Sequence, residues 1–369
     1  MKLVLRRALA PLLVATALAL LSAPALASVP TLARVNAPRG GEADVLRSVA
    51  FASVGRGWAV GSTGVSLQGT GVDRLLLSWN GTQWQKAPLA AVANSDEWLR
   101  GVAAAGPSEA WAVGDQKPYG RRPDLPILLH FNGSAWQTET GAFSTGRLWA
   151  VAASGAGDVW ALGTGVEHYD GAAWTLVPTP TVVAPAQLRP VAIGATAPND
   201  AWMVGSRFAK SYGGRGQALI EHWNGNAWQL VDLPVTPSDD RLTAVAARSA
   251  TDVWAVGFSS GAPLTMHWNG AVWTRISAAP TAQNGAFESV TTDAGGAVWA
   301  VGHEDGVDSR DYAVWRPIAQ RWTGTAWQKV GVPKVGDFDA WLADVSIIGG
   351  GVWAVGAHQG TLVARATST

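Results

Sequence analysis

The sequence predicts an all-β protein, a seven-bladed β-propeller built from four-stranded antiparallel blades. A set of short motifs recurs at intervals of roughly 42 to 54 residues, which is the period of a propeller blade. The motifs are rich in β-branched and aromatic residues and end at glycine, as short buried strands do. The 43 glycines and the lack of 3.6-residue apolar periodicity after the N-terminus argue against helical repeats.

The first motif is a Leu-x-x-Val segment that predicts the inner strand of each blade. It occurs seven times with the same three-residue step, once with Phe in place of Leu. The copies are Leu46/Val49, Leu99/Val102, Leu148/Val151, Leu188/Val191, Leu242/Val245, Phe287/Val290 and Leu342/Val345.

The second motif is a Trp-Ala-Val-Gly-like block that follows each Val by about nine residues and predicts a buried second strand. Its tryptophans are Trp58, Trp111, Trp160, Trp202, Trp254, Trp299 and Trp353.

The third motif is an aromatic residue followed by Asn-Gly or a related pair, with a Trp three residues after the Gly. Because Asn-Gly and Asp-Gly accept positive φ angles, each pair predicts a tight hairpin with a type I′ turn. The pairs are Asn80-Gly81, Asn132-Gly133, Asp170-Gly171, Asn224-Gly225, Asn269-Gly270 and Thr323-Gly324. Fourth strands are predicted to begin at Trp84, Trp136, Trp174, Trp228, Trp273 and Trp327. Three of them end at Pro88, Pro234 and Pro333, which is typical of an outer edge strand.

The ring is predicted to close through the N-terminal segment. The seventh unit reaches Thr369 without a hairpin pair or a final Trp strand. Residues 32–38 match residues 327–333 in the spacing from Val to Pro. We therefore expect the N-terminal segment to supply the outer strand of the last blade, which removes the open edge of the ring.

Residues 1–27 are predicted to be a signal peptide. Lys2, Arg6 and Arg7 precede an apolar run, and residues 25–27 supply a small-residue cleavage pattern. We expect export to a secreted or periplasmic location, with Ser28 as the mature N-terminus, residues 28–369 as one propeller domain and no stable membrane insertion after cleavage.

The composition indicates how the fold is stabilised and which partners are excluded. No cysteine is present, so packing alone must hold the exported fold together, and 21 tryptophans supply the area for it. The 27 basic residues are balanced by 27 acidic ones, which argues against a nucleic-acid partner. We expect a monomer that uses no cofactor.

The unit formed by residues 46–51, the block at residues 57–61 and the downstream Asn-Gly-x-x-Trp resembles the blades of the Asp-box (BNR) propeller superfamily. It is most similar to the photosystem II assembly factor-like branch and to secreted bacterial propellers with His-Trp-Asn-Gly repeats. The resemblance covers nearly the whole mature chain and implies a propeller fold; such families include sialidases, lectins and assembly factors. The chain departs from the usual Asp-x-Gly, because no residue separates its Asn or Asp from the Gly. The arginine triad and tyrosine nucleophile of a sialidase have no match.

Histidines recur just before the hairpin aromatic in four units, at His130, His168, His222 and His267. Because they would lie in separate blades, they predict a structural role rather than a shared metal site. The acidic segment at residues 303–311 could supply carboxylates to calcium, but its spacing does not match an EF-hand. We predict no metal.

The face that carries the longer loops is the predicted working face, because binding residues concentrate on loops held by a rigid scaffold. Two of its loops are basic with a central Tyr, and a third is acidic. Trp98, Trp149, Trp315 and Trp341 fall outside the repeat and are candidates for exposure. The candidate binding residues are Lys117, Tyr119, Arg121, Arg122, Arg207, Lys210, Tyr212, Arg215, Asp305, Asp308, Asp311 and Trp315.

We expect a non-catalytic binding or assembly scaffold that docks a protein partner on this face. One alternative is a carbohydrate-binding propeller with several similar sites between blades. Another is a glycosidase- or lyase-type enzyme at the axial opening that uses Asp305, Asp308 and Asp311.

Overall fold

The computed structural model describes residues 30–38, 41–64, 71–89, 94–120, 123–142, 146–180, 187–208, 216–233 and 239–367. In these ranges the chain forms seven four-stranded antiparallel sheets arranged as the blades of a propeller. This confirms the predicted fold class. The described residues contain no helix with the length and apolarity needed to cross a bilayer.

Each blade runs from an inner strand at the axis to an outer strand at the rim. The first three blades are β2 (Val45–Ser53), β3 (Arg56–Thr63), β4 (Asp73–Trp79) and β5 (Trp84–Lys86); β6 (Ser95–Gly106), β7 (Glu109–Pro118), β8 (Leu125–Phe131) and β9 (Trp136–Thr138); and β10 (Leu148–Gly155), β11 (Asp158–Gly163), β12 (Val166–Tyr169) and β13 (Trp174–Val177). The next three are β14 (Gln187–Ala197), β15 (Asp200–Phe208), β16 (Gly216–Trp223) and β17 (Trp228–Leu230); β18 (Asp240–Ser249), β19 (Asp252–Ser259), β20 (Ala262–Trp268) and β21 (Trp273–Ile276); and β22 (Gly285–Thr292), β23 (Val298–Val307), β24 (Ala313–Trp322) and β25 (Trp327–Lys329). The last is β26 (Trp341–Ile348), β27 (Gly351–Ala357), β28 (Thr361–Thr367) and β1 (Ala33–Arg34).

Aromatic packing joins neighbouring blades. In six of the seven blades the Trp of the second strand contacts aromatic residues of the hairpin of the next blade, and in the sixth Trp299 packs in the core of the last blade, which contains Leu32. Trp58 is 2% exposed, and its ring centroid lies 5.2 Å from Phe131 and 6.0 Å from Trp136. The same contact closes the ring, because Trp353 of the last blade lies 4.8 Å from Trp79 of the first. The repeated tryptophans are therefore core residues.

The inner strand of every blade contains a bulge at the residue that follows the partner of the block glycine. In the first blade Leu46 pairs with Gly61 and Ser48 pairs with Val60, which leaves Arg47 out of register. Gly61 is required here, because a Cβ atom would overlap the carbonyl oxygen of Val45. The bulged residues all line the axial channel, and they are Arg47, Arg100, Trp149, Val191, Thr243, Glu288 and Ala343.

The register predicted for the fourth blade is wrong by two residues. Pro190, not Leu188, pairs with the block glycine Gly205, and Ile193 is the buried residue of the motif. Val191 is instead 42% exposed at the bulge. Leu188 and Val191 have the spacing of the motif by coincidence. Pro190 takes the position that Leu or Phe holds in the other blades.

The hairpins do not contain the predicted type I′ turn. Four residues separate the paired Trp79 and Trp84, and only the glycine of the pair has a positive φ, 95° at Gly81. The Asn80 Oδ1 atom accepts hydrogen bonds from the N–H groups of Thr82 and Gln83, both at 3.0 Å. The asparagine side chain therefore organises the loop, while the glycine supplies the left-handed residue.

The N-terminal segment closes the ring as predicted. Ala33 and Arg34 pair with Arg365 and Ala364 of β28, and the Val35 N–H donates to the Val363 carbonyl at 2.8 Å. Leu32 is 1% exposed within the core of the last blade.

Deleting residues 30–40 should destabilise the ring. The deletion removes the outer strand of the last blade and the buried Leu32, and loss of one such leucine costs about 2–5 kcal/mol. We expect the thermal midpoint to fall by on the order of 10 °C relative to a chain that begins at residue 28. Calorimetry of the two chains measures this, and equal midpoints would contradict closure by β1.

A buried polar side chain ties two blades to the linker that precedes them. Glu167 Oε2 accepts the Ala142 N–H at 2.7 Å. Gln320, at the same register position, accepts the Ala279 N–H at 2.8 Å and donates to the Ala279 carbonyl at 2.8 Å. Ala142 and Ala279 are each the sixth residue after the outer-strand tryptophan of the previous blade.

Glu221 occupies this position in the fourth blade without the matching partner. The sixth residue after Trp174 is Pro180, which has no N–H to donate. Glu221 is 1% exposed, and its Oε2 atom has no hydrogen-bond partner among the described residues. Burial raises the pKa of Glu221 to about 7.

Glu221 should make stability depend on pH. The pKa of Glu221 is raised in the folded state, so ionisation of its carboxyl lowers the free energy of unfolding. This loss of stability is absent below the unfolded pKa of about 4.3. It grows as the pH rises to about 7, where it reaches roughly 3 kcal/mol. We expect Glu221→Gln to be more stable than the parent protein at pH 8 and equal to it near pH 4. Urea denaturation at both values measures the difference.

Glu167→Gln is the matched control for this experiment. Its carboxylate already accepts an N–H, so we expect no gain in stability at pH 8. A Glu221→Gln variant whose stability relative to the parent is the same at both pH values would show that the Glu221 carboxyl is not penalised.

Candidate binding funnel on the propeller axis

Six of the seven bulged residues, together with the β23–β24 hairpin and Trp341, line a funnel at one end of the axial channel. Its cavity measures about 550 Å³ and lies in the size range of ligand sites. Arg47, Arg100 and Glu288 come from the inner strands, and His303 and Trp315 come from the long β23–β24 hairpin. The funnel is therefore assembled from several blades.

Two arginines give one side of the funnel a positive charge. Arg100 makes a two-pronged ion pair with the buried Asp115, and its guanidinium lies 5.9 Å from the Trp98 ring. Arg47 is solvent-exposed and forms no hydrogen bond or ion pair with the described residues. Enclosure by the funnel wall and then repulsion from Arg100 lower the pKa of Arg47, while Asp115 and Glu288 act in the opposite direction. Arg47 is thus the cation available to a ligand.

Aromatic rings form the other side of the funnel. His303 packs on Trp315 with ring centroids 4.6 Å apart, and Trp315 meets Trp341 edge-on at 5.7 Å and 89°. Trp315 remains 43% exposed. The His303 Nδ1 atom lies 3.2 Å from Glu288 Oε1, but the two groups are not oriented for a hydrogen bond. An exposed indole beside these polar groups suits an amphipathic ligand.

The candidate residues predicted on the β23–β24 hairpin occupy different environments. Trp315 faces the funnel. Asp308 is buried and holds the turn, because its carboxylate accepts the N–H groups of Arg310 and Tyr312 at 2.8 and 2.9 Å and pairs with the Arg310 guanidinium. Against the effect of desolvation, these donors lower the pKa of Asp308. Asp305 and Asp311 are exposed at the rim.

The predicted basic residues lie on two other blades. Lys117 and Arg207 are exposed near the ends of β7 and β15. The Tyr119 hydroxyl donates to Asp96 at 3.1 Å, and desolvation together with this hydrogen bond raises the pKa of Tyr119. Five further candidates lie outside the described residues: Arg121, Arg122, Lys210, Tyr212 and Arg215.

The repeated histidines are structural, as predicted. His168 stacks on Trp160 at 4.1 Å, and its Nε2 atom lies 2.6 Å from Asp158. His130, His222 and His267 make the equivalent stacking and carboxylate contacts in their own blades. In the described part of the chain, no group of three or more potential ligands is placed to hold a metal ion.

Sequence reasoning missed Arg47, Arg100 and Glu288 as funnel residues. All three are the second residue of the first motif, where the repeats differ most in charge and size. An inner strand faces the axis, so a charged residue at its variable position was the available signal.

No protein-family model matches this chain, and no curated protein matches it. The resemblance to the Asp-box superfamily therefore stays a prediction.

Solved structures share the fold. A structure described as YCF48 bound to D1 peptide is 14% identical, with a TM-score of 0.57 over 93% of this chain and 100% of that one. Virginiamycin B lyase from Staphylococcus aureus is 10% identical, with a TM-score of 0.62 over 92% of this chain and 99% of the lyase. The WD40 propeller domain of Doa1 is 12% identical, with a TM-score of 0.54 over 90% of this chain and 95% of that domain. At these identities the likeness establishes a β-propeller fold.

Proposed function

We propose that this protein is an exported, non-catalytic scaffold that docks a segment of a protein partner in the axial funnel. The observation that carries the proposal is the pairing, in one open cavity, of the available Arg47 cation with the exposed Trp315 surface. Arginine and tryptophan are the residues most often responsible for binding energy at protein interfaces.

The funnel chemistry defines the segment that it would accept. Arg47 favours a carboxylate, which a guanidinium can bind with two parallel hydrogen bonds. The Trp315 and Trp341 rings favour an apolar or aromatic side chain next to that carboxylate. A similar fold has been solved with a peptide bound, which supports a peptide as the ligand class.

Charges around the rim would orient the partner. Lys117 and Arg207 are exposed on the second and fourth blades, while Asp305 and Asp311 are exposed on the sixth. Separate basic and acidic sectors favour one docking orientation and speed encounter more than they add affinity. The sequence also predicts binding residues in these basic loops, and they lie outside the described residues: Arg121, Arg122, Lys210, Tyr212 and Arg215.

Peptide selection on the immobilised protein tests the docking site. Peptides from a random display library should be enriched in an acidic residue close to an aromatic or aliphatic one. We expect Arg47→Ala and Trp315→Ala each to weaken the selected peptides at least 10-fold, about 1.4 kcal/mol, by calorimetry.

Val272→Ala is the control, because Val272 is 54% exposed on a hairpin of the opposite face. Peptides that bind both funnel variants as tightly as the parent protein would place docking elsewhere. Calorimetry on any hit from a glycan array gives the number of sites, and several equivalent sugar sites per chain would replace the proposal with the lectin alternative.

An enzyme at the same opening is the second candidate. The contact between His303 and Glu288 at 3.2 Å is the observation that favours it, since such a pair can exchange protons with a bound substrate. Asp308 is committed to its turn, so catalysis by the predicted Asp305, Asp308 and Asp311 set is less well supported than catalysis by this pair.

Export is also part of the proposal, and residues 1–27 lie outside the described residues. Expression in a bacterial host should yield extracytoplasmic protein that begins at Ser28, because cleavage follows the small-residue pattern at residues 25–27. Mass spectrometry of the cell fractions measures this. Full-length protein retained in the cytoplasm would contradict export.

A further inference from the structure

A second cavity lies between the third and fourth blades, beside the funnel. It measures about 750 Å³, and its wall includes Trp149 and Val191, which also line the funnel. The turn between β11 and β12 consists of only Thr164 and Gly165, and this short connection leaves the cavity open to solvent.

Glu221 lines this cavity from β16. It is 1% exposed, and its Oε2 atom is unpartnered among the described residues. An unpartnered buried carboxyl is costly and therefore rare in native structures. The residue that matches the donor Ala142 of the third blade is Pro180, so among the described residues the linker gives the Oε2 atom no N–H.

In other blades that have a proline in the linker, the register position of Glu221 is apolar. Leu77 in the first blade and Met266 in the fifth hold the register position of Glu221. The corresponding linker residues are Pro38, which matches Pro333 in the aligned outer strands, and Pro234, so proline is combined with an apolar side chain in both cases. The fourth blade alone combines proline with a carboxyl, and the unmet acceptor faces a cavity large enough for a ligand.

The rest of the wall defines the chemistry of that ligand. Leu162, Val166 and Pro180 are apolar, and the Trp149 indole can cover a cation with its face. Arg189 on β14 is the other charged residue among the described residues of the wall. Glu167 on β12 does not line the cavity and accepts the Ala142 N–H. A protonated primary amine has three donors for one carboxylate, whereas a polyol needs several partners that an apolar wall does not provide.

We propose that this interblade cavity binds a small primary amine with an apolar body, whose ammonium group pairs with Glu221 and whose body packs against Trp149, Leu162 and Val166. The site is separate from the proposed docking function and does not depend on it.

Calorimetry with 2-phenylethylamine and 2-phenylethanol tests the proposal on the whole protein, because the two probes differ only in the ammonium group. At pH 8 we expect the amine to bind with a Kd of about 1 mM or tighter and the alcohol at least 10-fold more weakly. The amine stays protonated over this range while Glu221 titrates, so its affinity should fall about 10-fold per pH unit below pH 7.

Three variants separate this site from nonspecific binding. Glu221→Gln should weaken the amine at least 10-fold, while Glu167→Gln, the equivalent buried carboxyl of the third blade, should leave its affinity unchanged. Pro180→Ala should also weaken the amine, because the new N–H can satisfy Glu221 as the Ala142 N–H satisfies Glu167. Any one of three results would overturn the proposal: no amine binding up to 10 mM, equal binding of the alcohol, or unchanged amine affinity in Glu221→Gln.

Discussion

The close approach of one glycine to the inner strand of each blade is the constraint on which the structure depends. A side chain at Gly61, or at the matching glycine of any other blade, would overlap a backbone carbonyl of the inner strand. Without a side chain, the two strands can pair around a bulge, which turns one residue per blade toward the axis. Seven such residues make the channel, so its chemistry can vary without a change in the packing between blades.

The sequence predicted the architecture well because each blade repeats the same packing problem. Trp58 marks the second strand of its blade and Trp84 marks the fourth, and the equivalent residues of other blades predict the same four strands. The match of residues 32–38 to an outer strand predicted the ring closure. The fourth blade was misaligned because Leu188 and Val191 reproduced the apolar spacing while the backbone placed Pro190 and Ile193 there. Pattern alone cannot separate two such registers when both present apolar residues.

The site was less predictable for a different physical reason. Residues that make the funnel lie far apart in the sequence, and Arg47 and Glu288 line the same cavity because the bulges direct both to the axis. Trp315 could be predicted because it lies outside the repeated motifs. Arg47 occupies a variable position within the Leu46/Val49 motif, and the apolar residues of that motif indicate only the strand. Glu221 becomes unusual only when its register is compared with Glu167 and when Pro180 is aligned with Ala142.

Ring closure by β1 has a consequence for how the molecule folds and persists. The strand that completes the last blade pairs with β28. The first described strand of the chain therefore finds its hydrogen-bonding partner only when the last one has formed. Contacts between such distant segments slow folding, because a long loop must close before they form. The same contact hinders unraveling from either terminus, so the closed ring should owe its persistence to a high barrier to unfolding rather than to equilibrium stability alone. In the extracytoplasmic location proposed above, such kinetic stability would protect a chain without cysteine from proteases.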